Sequence, residues 1–390
     1  MVSRSQATQP KKKKKGLIFG GIILAIVLLL GIGGCAYVAS IGKAWDNGTD
    51  KFDTAFPNED GSEANQDQLR SQLSDQLKKE IGKDSYSSDI QNSEGRNNAT
   101  EKDKNGNGIA DDLEGGKTTE RPAETGSSDI LLMGSDSRAG TAEAATVTGQ
   151  RADTLMLLHI PAGGGDPYLI SIMRDTWVNI PGYGSAKINA GLNYGGVDVQ
   201  IATIEQLLDI RIDHVAEIDF SGFKSMTDAL GGVDVDVPLS FQADGKSYTA
   251  GQQHMNGDEA LTFVRQRYAF EDGDYQRVRN QRAYMDGVLG TIKSQGAFRN
   301  ATNFKNVVES IAPYVTVDSG LDSGAIVSMA APYLSTGGPN LHMLTLPNAG
   351  TGWSVDGQSI VVLDSAATED LSNALKNEDM AGYVSQYGED

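Results

Sequence analysis

Apolar and polar positions divide the chain into three regimes. No charged residue stands between Gly16 and Gly42, polar residues dominate from Lys43 to Ser128, and short apolar runs alternate with helical patterns from Asp129 onward. In the third regime "DILLM" (129–133), "TLMLLHI" (154–160) and "YLISIM" (168–173) read as buried strands bounded by Gly or Pro. "PAGGGD" between the last two predicts a hairpin loop. "VQIATIEQLL" (199–208) carries Ile201, Ile204, Leu207 and Leu208 at helical spacing. "HVAEIDF" (214–220) and "VDVDV" (233–237) alternate as strands. "SGFKSMTDALGG" between them predicts a helix capped by Ser221 and ended by Gly231. Strands and helices interleaved in this way predict an α/β domain with helices on both faces of a sheet.

The uncharged run 16–42 follows Lys11–Lys15. As a helix it would be roughly 40 Å long, enough to cross a hydrocarbon core of ~30 Å. The lysines belong on the cytoplasmic side, which places the rest of the chain outside. A cleaved signal peptide is the alternative, and "IGGC" before Cys35 loosely resembles a lipobox. The run, however, continues through Ala36, Tyr37, Val38 and Ile41, beyond the roughly 7–15 residues of a signal core. The expectation is a cytoplasmic tail 1–15, a single membrane-spanning helix 16–42, and an extracytoplasmic remainder at the cell membrane. A tail this short can neither fold nor read DNA by itself. With Cys35 as the one cysteine, no intramolecular disulfide forms.

Residues 43–128 read mostly as a polar spacer. Leu69, Leu73, Leu77 and Ile81 make a narrow apolar stripe, a marginal helix or a weak pairing seam. "DKNGNGIADDLE" matches a calcium loop at residues 103–114. Asp103, Asn105, Asn107, Asp111 and Glu114 offer oxygens, Ile109 a carbonyl, and Gly108 the sharp turn. A polar linker matches the same pattern by composition, and both readings stand.

Charge then changes the picture. A net charge of −19 argues against a general nucleic-acid binder, which needs a basic face. Yet "VRQRYAFEDGDYQRVRNQR" (264–282) gathers five of the fourteen arginines and no lysine. Arginine binds oxyanions bidentately, whereas lysine is a point charge. Arg265 and Arg267 share a face if extended; Arg277 and Gln281 share one if helical, anchored by Tyr284, Met285, Val288 and Leu289. Glu271, Asp272 and Asp274 form an acidic turn between the two arms, so a solvated salt-bridge helix is the competing reading.

Three strand edges favour the oxyanion. "LLMGSDSR" brings Asp136 and Arg138, "RADT" brings Arg151 and Asp153, and "SIMRDTWVNIP" brings Arg174 and Asp175. Groups at strand ends of an open sheet converge on one crevice. Carboxylates recruit a divalent cation and arginines hold the anion it bridges, a combination suited to diphosphate chemistry. No GxSxG, Walker A or HExxH motif is present, the four scattered histidines make no zinc site, and Ser135 has no evident histidine partner. His159 and His214 fall in strand patterns and read as core or edge residues.

Those stretches, with "KINAGLNYGG", "DALGGVDVDV", "GDEALTFVRQR" and "GDYQRVRNQ", resemble in order the motif series of the LytR-CpsA-Psr family of cell-wall glycopolymer ligases. The resemblance spans about Asp129 to Gln281 and is compatible with a domain reaching about residue 380, followed by a tail 381–390. It implies an extracytoplasmic α/β/α sandwich with a central mixed sheet behind one transmembrane helix. It implies transfer of a glycopolymer from an undecaprenyl-diphosphate carrier to a hydroxyl of peptidoglycan or another wall glycan. Mg²⁺ or Mn²⁺ would sit on the diphosphate and the lipid in an apolar tunnel. Asp136 and Asp153 match the metal-site aspartates, and these two with Arg174 are the implied catalytic residues. Arg138, Arg151, Arg174, Arg265, Arg267, Arg277 and Gln281 match diphosphate-binding positions, with Lys187 and Asn189 near the site. Met173 departs from the family's usual proline, which implies a looser turn before Arg174. A polyprenyl-diphosphate hydrolase and a non-catalytic, calcium-dependent wall-binding protein are the alternatives in other classes.

Overall fold

The computed structural model describes residues 44–52, 55–57, 121–135, 152–296, 301–330 and 340–389. Its central sheet has seven strands: β1 (Asp50–Lys51), β2 (Ser128–Ser135), β3 (Ala152–Ile160), β4 (Tyr168–Ile172), β5 (His214–Asp219), β6 (Thr316–Val317) and β7 (His342–Thr345). Their order is β1-β6-β5-β2-β3-β4-β7. The sheet is mixed: β2 runs antiparallel to β3, β3 to β4 and β6 to β5, while β5–β2, β4–β7 and β1–β6 are parallel. β3 and β4 are the hairpin that "PAGGGD" predicts.

Alternation along the strands divides the core. Ile130, Met156, Leu158, Leu169 and Ala216 face one layer, while Leu131, Leu155, Leu157, Ile170 and Val215 face the other. Helices α2 (Phe220–Ala229), α3 (Gly257–Arg265) and α4 (Asp274–Ser294) cover the first face. Helix α1 (Val197–Leu208) covers the second, with the C-terminal helices Ser365–Lys376 and Met380–Tyr387. A sheet buried on both faces explains why its strands read as continuous apolar runs. "VDVDV" is a strand, but it pairs with Gly251–Met255 in a separate two-stranded unit. Gly287 lets α4 approach that unit: a Cβ there would stand 2.5 Å from the Asp234 carbonyl oxygen.

Three sequence expectations change. The cap of α2 is Asp219, whose carboxylate accepts from the Gly222 N–H at 2.6 Å, not Ser221. A carboxylate at the end of β5 reaches the free N–H groups before the serine can. Parts of the 43–128 spacer belong to the domain. Trp45 is fully buried and its indole N–H donates to the Leu321 carbonyl at 2.9 Å; Asp50–Lys51 forms the sheet edge; Arg121 pairs with Glu205 at 2.6 Å. Single anchors in a polar stretch leave no periodicity to read. The tail 381–390 also contributes, since Tyr383 packs in the second core cluster. Among the described residues no helix is long and apolar enough to cross a membrane; the run 16–42 and the loop 103–114 lie outside them.

Candidate active site

Strand direction builds the site. With β3 antiparallel to its neighbours, the end of β2, the start of β3 and the end of β4 meet at one sheet edge, and parallel β5 ends there too. This edge carries Ser135, Asp153, Arg174 and Asp219. Arg174 is aimed by a closed turn in which the Thr176 N–H and hydroxyl both donate to the Met173 carbonyl, at 3.0 and 2.6 Å. Thr176 thus holds the turn that the Met173 departure leaves without a proline.

Helix α3 ends at Arg265 and α4 starts at Asp274, so both arms of the arginine-rich segment reach this edge. They close a cavity of about 650 Å³. Asp153, Arg174, Arg265, Arg267, Arg277 and Gln281 line its polar mouth. Asp274 ties the arginines together: its carboxylate lies 3.0 Å from Arg277, 3.5 Å from Arg267 and 3.6 Å from Arg174. Arg174 also pairs with Asp153. Arg267 donates to the Tyr268 hydroxyl at 2.7 Å, and Arg265 stacks 4.2 Å above the Phe220 ring. Gln281 donates to the Thr154 hydroxyl at 2.9 Å.

Donor capacity at the mouth is left over. The Nε atoms of Arg174 and Arg277 are buried without a hydrogen-bond partner. Burial pulls the Arg277 pKa down, with Asp274 opposing. Desolvated guanidinium groups with spare donors favour a bound oxyanion. Behind the mouth the cavity turns apolar, walled by Leu132, Met156, Ala216, Phe223, Met226 and Leu261. Such a shape accepts a ligand with a phosphate head and a hydrocarbon tail.

The LytR_cpsA_psr family profile matches residues 82–377. The chain belongs to the LytR-CpsA-Psr family. A polyisoprenyl-teichoic acid–peptidoglycan teichoic acid transferase TagU of Bacillus cereus (strain AH820) is 34% identical over 249 residues, covering 64% of this chain and 78% of the relative. The cell wall biosynthesis protein LcpA of Corynebacterium glutamicum is 30% identical over 290 residues, covering 62% of this chain and 54% of its own. The fold is shared with B. subtilis TagV (TM-score 0.51, 23% identity, 66% of this chain and 99% of that one). It is shared equally with a LytR-Csp2A-Psr enzyme from Actinomyces oris (TM-score 0.51, 23% identity, 66% and 93%).

Of the site residues that the resemblance implies, Asp153, Arg174, Arg265, Arg267, Arg277 and Gln281 line the mouth. Lys187 does not line the cavity; it pairs with Asp175 at 3.1 Å, and the Asn189 N–H donates to the Arg174 carbonyl at 3.2 Å. The two brace the Arg174 turn from behind. Burial opposes ionisation of Asp175, but Lys187 and Arg174 outweigh it and lower its pKa. Asp136, Arg138 and Arg151 lie outside the described residues. The salt-bridge reading holds for Arg279, which pairs with Asp272; Arg282 is instead buried and donates to the Thr345 hydroxyl at 2.7 Å.

Glu217 is a cavity residue that the strand pattern hides, because one acid inside "HVAEIDF" reads as a polar face position. It accepts a hydrogen bond from the Ser135 hydroxyl, and burial raises its pKa above the ordinary 4.5. A raised carboxyl pKa means the fold binds the proton more tightly than the unfolded chain does. That stability is present at low pH and lost as pH rises through the folded pKa. Glu217→Gln, which keeps an acceptor for Ser135, should therefore raise the melting temperature at pH 7. The gain should vanish at about pH 4 and below. Thermal melts at both pH values measure it; an equal gain at both would refute the linkage.

Proposed function

We propose that the protein transfers a glycopolymer from an undecaprenyl-diphosphate carrier to a hydroxyl of peptidoglycan or another wall glycan. The single observation that carries this reading is the cavity, where four arginines, the buried Arg277 among them, gather at the mouth of an apolar chamber. The diphosphate lies against Arg174, Arg265, Arg267 and Arg277, and the hydrocarbon chain enters between α2, α3, α4 and the sheet. The TagU name, a polyisoprenyl-teichoic acid–peptidoglycan transferase, supports the same substrate classes.

The acceptor hydroxyl attacks the sugar-linked phosphorus and its proton passes to a carboxylate, Asp153 or Asp136. The bond to the distal phosphate breaks and undecaprenyl phosphate leaves, stabilised by the guanidinium groups. No covalent enzyme intermediate is required. Asp153 supplies hard oxygen donors at the mouth, and Mg²⁺ commonly takes one or two carboxylates plus substrate phosphates. Asp136 and Asp153 would hold Mg²⁺ or Mn²⁺, which would neutralise diphosphate charge. The lipid substrate also accords with an anchor at residues 16–42 that keeps the domain beside the membrane.

Incubation with a lipid-diphosphate donor, with and without wall fragments, tests the reading. A polymer–wall phosphodiester formed only with acceptor supports transfer; equal donor cleavage without acceptor would establish a hydrolase instead. Asp136→Asn and Asp153→Asn should each lower transfer by roughly 100-fold or more, and the double variant should be little worse than the worse single, as for residues that work as one unit. EDTA should abolish activity and Mg²⁺ or Mn²⁺ restore it. Transfer that persists in EDTA, with independent additive losses, would leave the arginines as the sole charge stabilisers.

A further inference from the structure

The hairpin formed by Asn348–Trp353 and Ser359–Leu363 exposes large apolar side chains with no evident structural use. Trp353 is 76% exposed and Val355 in its turn 91%. Both strands are rooted beside the arginine mouth. The Tyr275 hydroxyl donates to the Asn348 side chain at 2.7 Å, next to Asp274. The Val361 N–H donates to the Asp175 carbonyl at 2.9 Å, next to Arg174. Val361 packs with Met173 and Val278. In the register of the hairpin Thr351 opposes Val361 and Trp353 opposes Ser359. Strand alternation therefore puts Trp353 on the same face as Val361, roughly 7 Å farther out. The indole thus stands on the hairpin face whose buried base packs against Met173 and Val278.

The tip is stiff. Ser354 donates to Asp356, Gln358 Nε2 donates to Asp356 at 2.6 Å, and the Ser354 N–H donates to the Gln358 carbonyl at 2.9 Å. The surroundings select the partner. No Lys or Arg occurs between Leu346 and Leu375, whereas Asp356, Asp364, Glu369 and Asp370 do. The hairpin, whose one charged side chain is Asp356, offers no cation to anionic lipid headgroups. A neutral pyranose needs none. Its axial C–H face lies flat on an indole, and its hydroxyl and acetamido groups bond to neighbouring Ser, Gln and Asp side chains.

We propose that Trp353 is the stacking platform for the acceptor, a strand of N-acetylated hexosamines, held beside the arginine mouth. The proposal rests on the transferase reading, because that reaction requires a second, glycan substrate at the same opening. Undecaprenyl diphosphate binds elsewhere, so Trp353 acts on acceptor binding alone.

The test uses the full chain with Trp353→Ala and Trp353→Phe. Binding to N-acetylglucosamine oligomers and to wall sacculi stripped of anionic polymer should weaken about 10-fold or more in Trp353→Ala, as expected of a tryptophan anchor. Trp353→Phe should retain most of it. Indole fluorescence should shift on oligomer addition in the wild type and not in Trp353→Ala. In transfer assays Trp353→Ala should raise the acceptor KM with kcat little changed, and binding of undecaprenyl diphosphate should be unaltered. Equal glycan binding by wild type and Trp353→Ala overturns the platform, as does loss confined to vesicles containing phosphatidylglycerol, which would mark a membrane contact. Trp353-dependent glycan binding without any transfer would sink the transferase reading and leave the platform standing.

Discussion

Asp274→Ala should lower transfer by roughly 100-fold and destabilise the fold by about 3 kcal/mol, because three guanidinium groups share this one carboxylate. Arg277 is 4% exposed, so losing its partner leaves a buried charge uncompensated. Arg174 and Arg267 then repel it, with Asp153 left to offset only part of the charge. Pyrophosphate should restore part of the lost melting temperature, since it returns negative charge to the same place; a structural salt bridge unconnected with substrate would show no such recovery. Asp274→Asn keeps the helix start and should lose nearly as much activity. Unchanged melting and transfer in both variants would refute the role of Asp274 as the organiser of the mouth.

Arg265→Ala and Arg267→Ala should each reduce transfer by about 10- to 100-fold while leaving the melting temperature nearly unchanged. Each removes a charge-assisted hydrogen bond to phosphate, worth about 1.5–3 kcal/mol, or at least tenfold in rate or binding. Arg265 is exposed at the end of α3 and Arg267 only part-buried, so neither supports the core. Lysine at either position should recover little, because a point charge cannot replace a planar fork. The loss should appear in binding of a lipid-diphosphate analogue by calorimetry, not only in turnover. Wild-type transfer by folded variants at both positions would remove the oxyanion assignment.

Much of the domain is legible in the chain because burial leaves local patterns: continuous apolar runs where both faces are covered and a period where one face is. β2, β3, β4 and β5 appear where apolar runs predict them, and α1 where a 3.6-residue stripe does. Trp45 and the strand Asp50–Lys51 are not legible, because two or three residues carry no period. Glu217 is concealed for another reason: a single acid in an alternating strand reads as a polar face position, and only the packed sheet shows that it lines the cavity.

By itself, the sequence determined the residue chemistry and the family: lysine-free arginines, aspartates at strand ends and seven ordered motifs are properties of the chain. It also determined which faces of each element are apolar, since that alternation is written residue by residue. Only the tertiary structure decided which arginines line the cavity. Arg277 and Arg279 stand two apart in one helix, yet a helix turns about 200° over two residues, so one enters the cavity and the other meets Asp272 at the surface. Nor does any local pattern reveal that Asp274 lies between Arg174, Arg267 and Arg277. Arg174 is a hundred residues away in sequence, and its approach depends on strand order and on how α4 packs against the sheet. Those are long-range choices made by core packing, and the charges at the mouth follow from them.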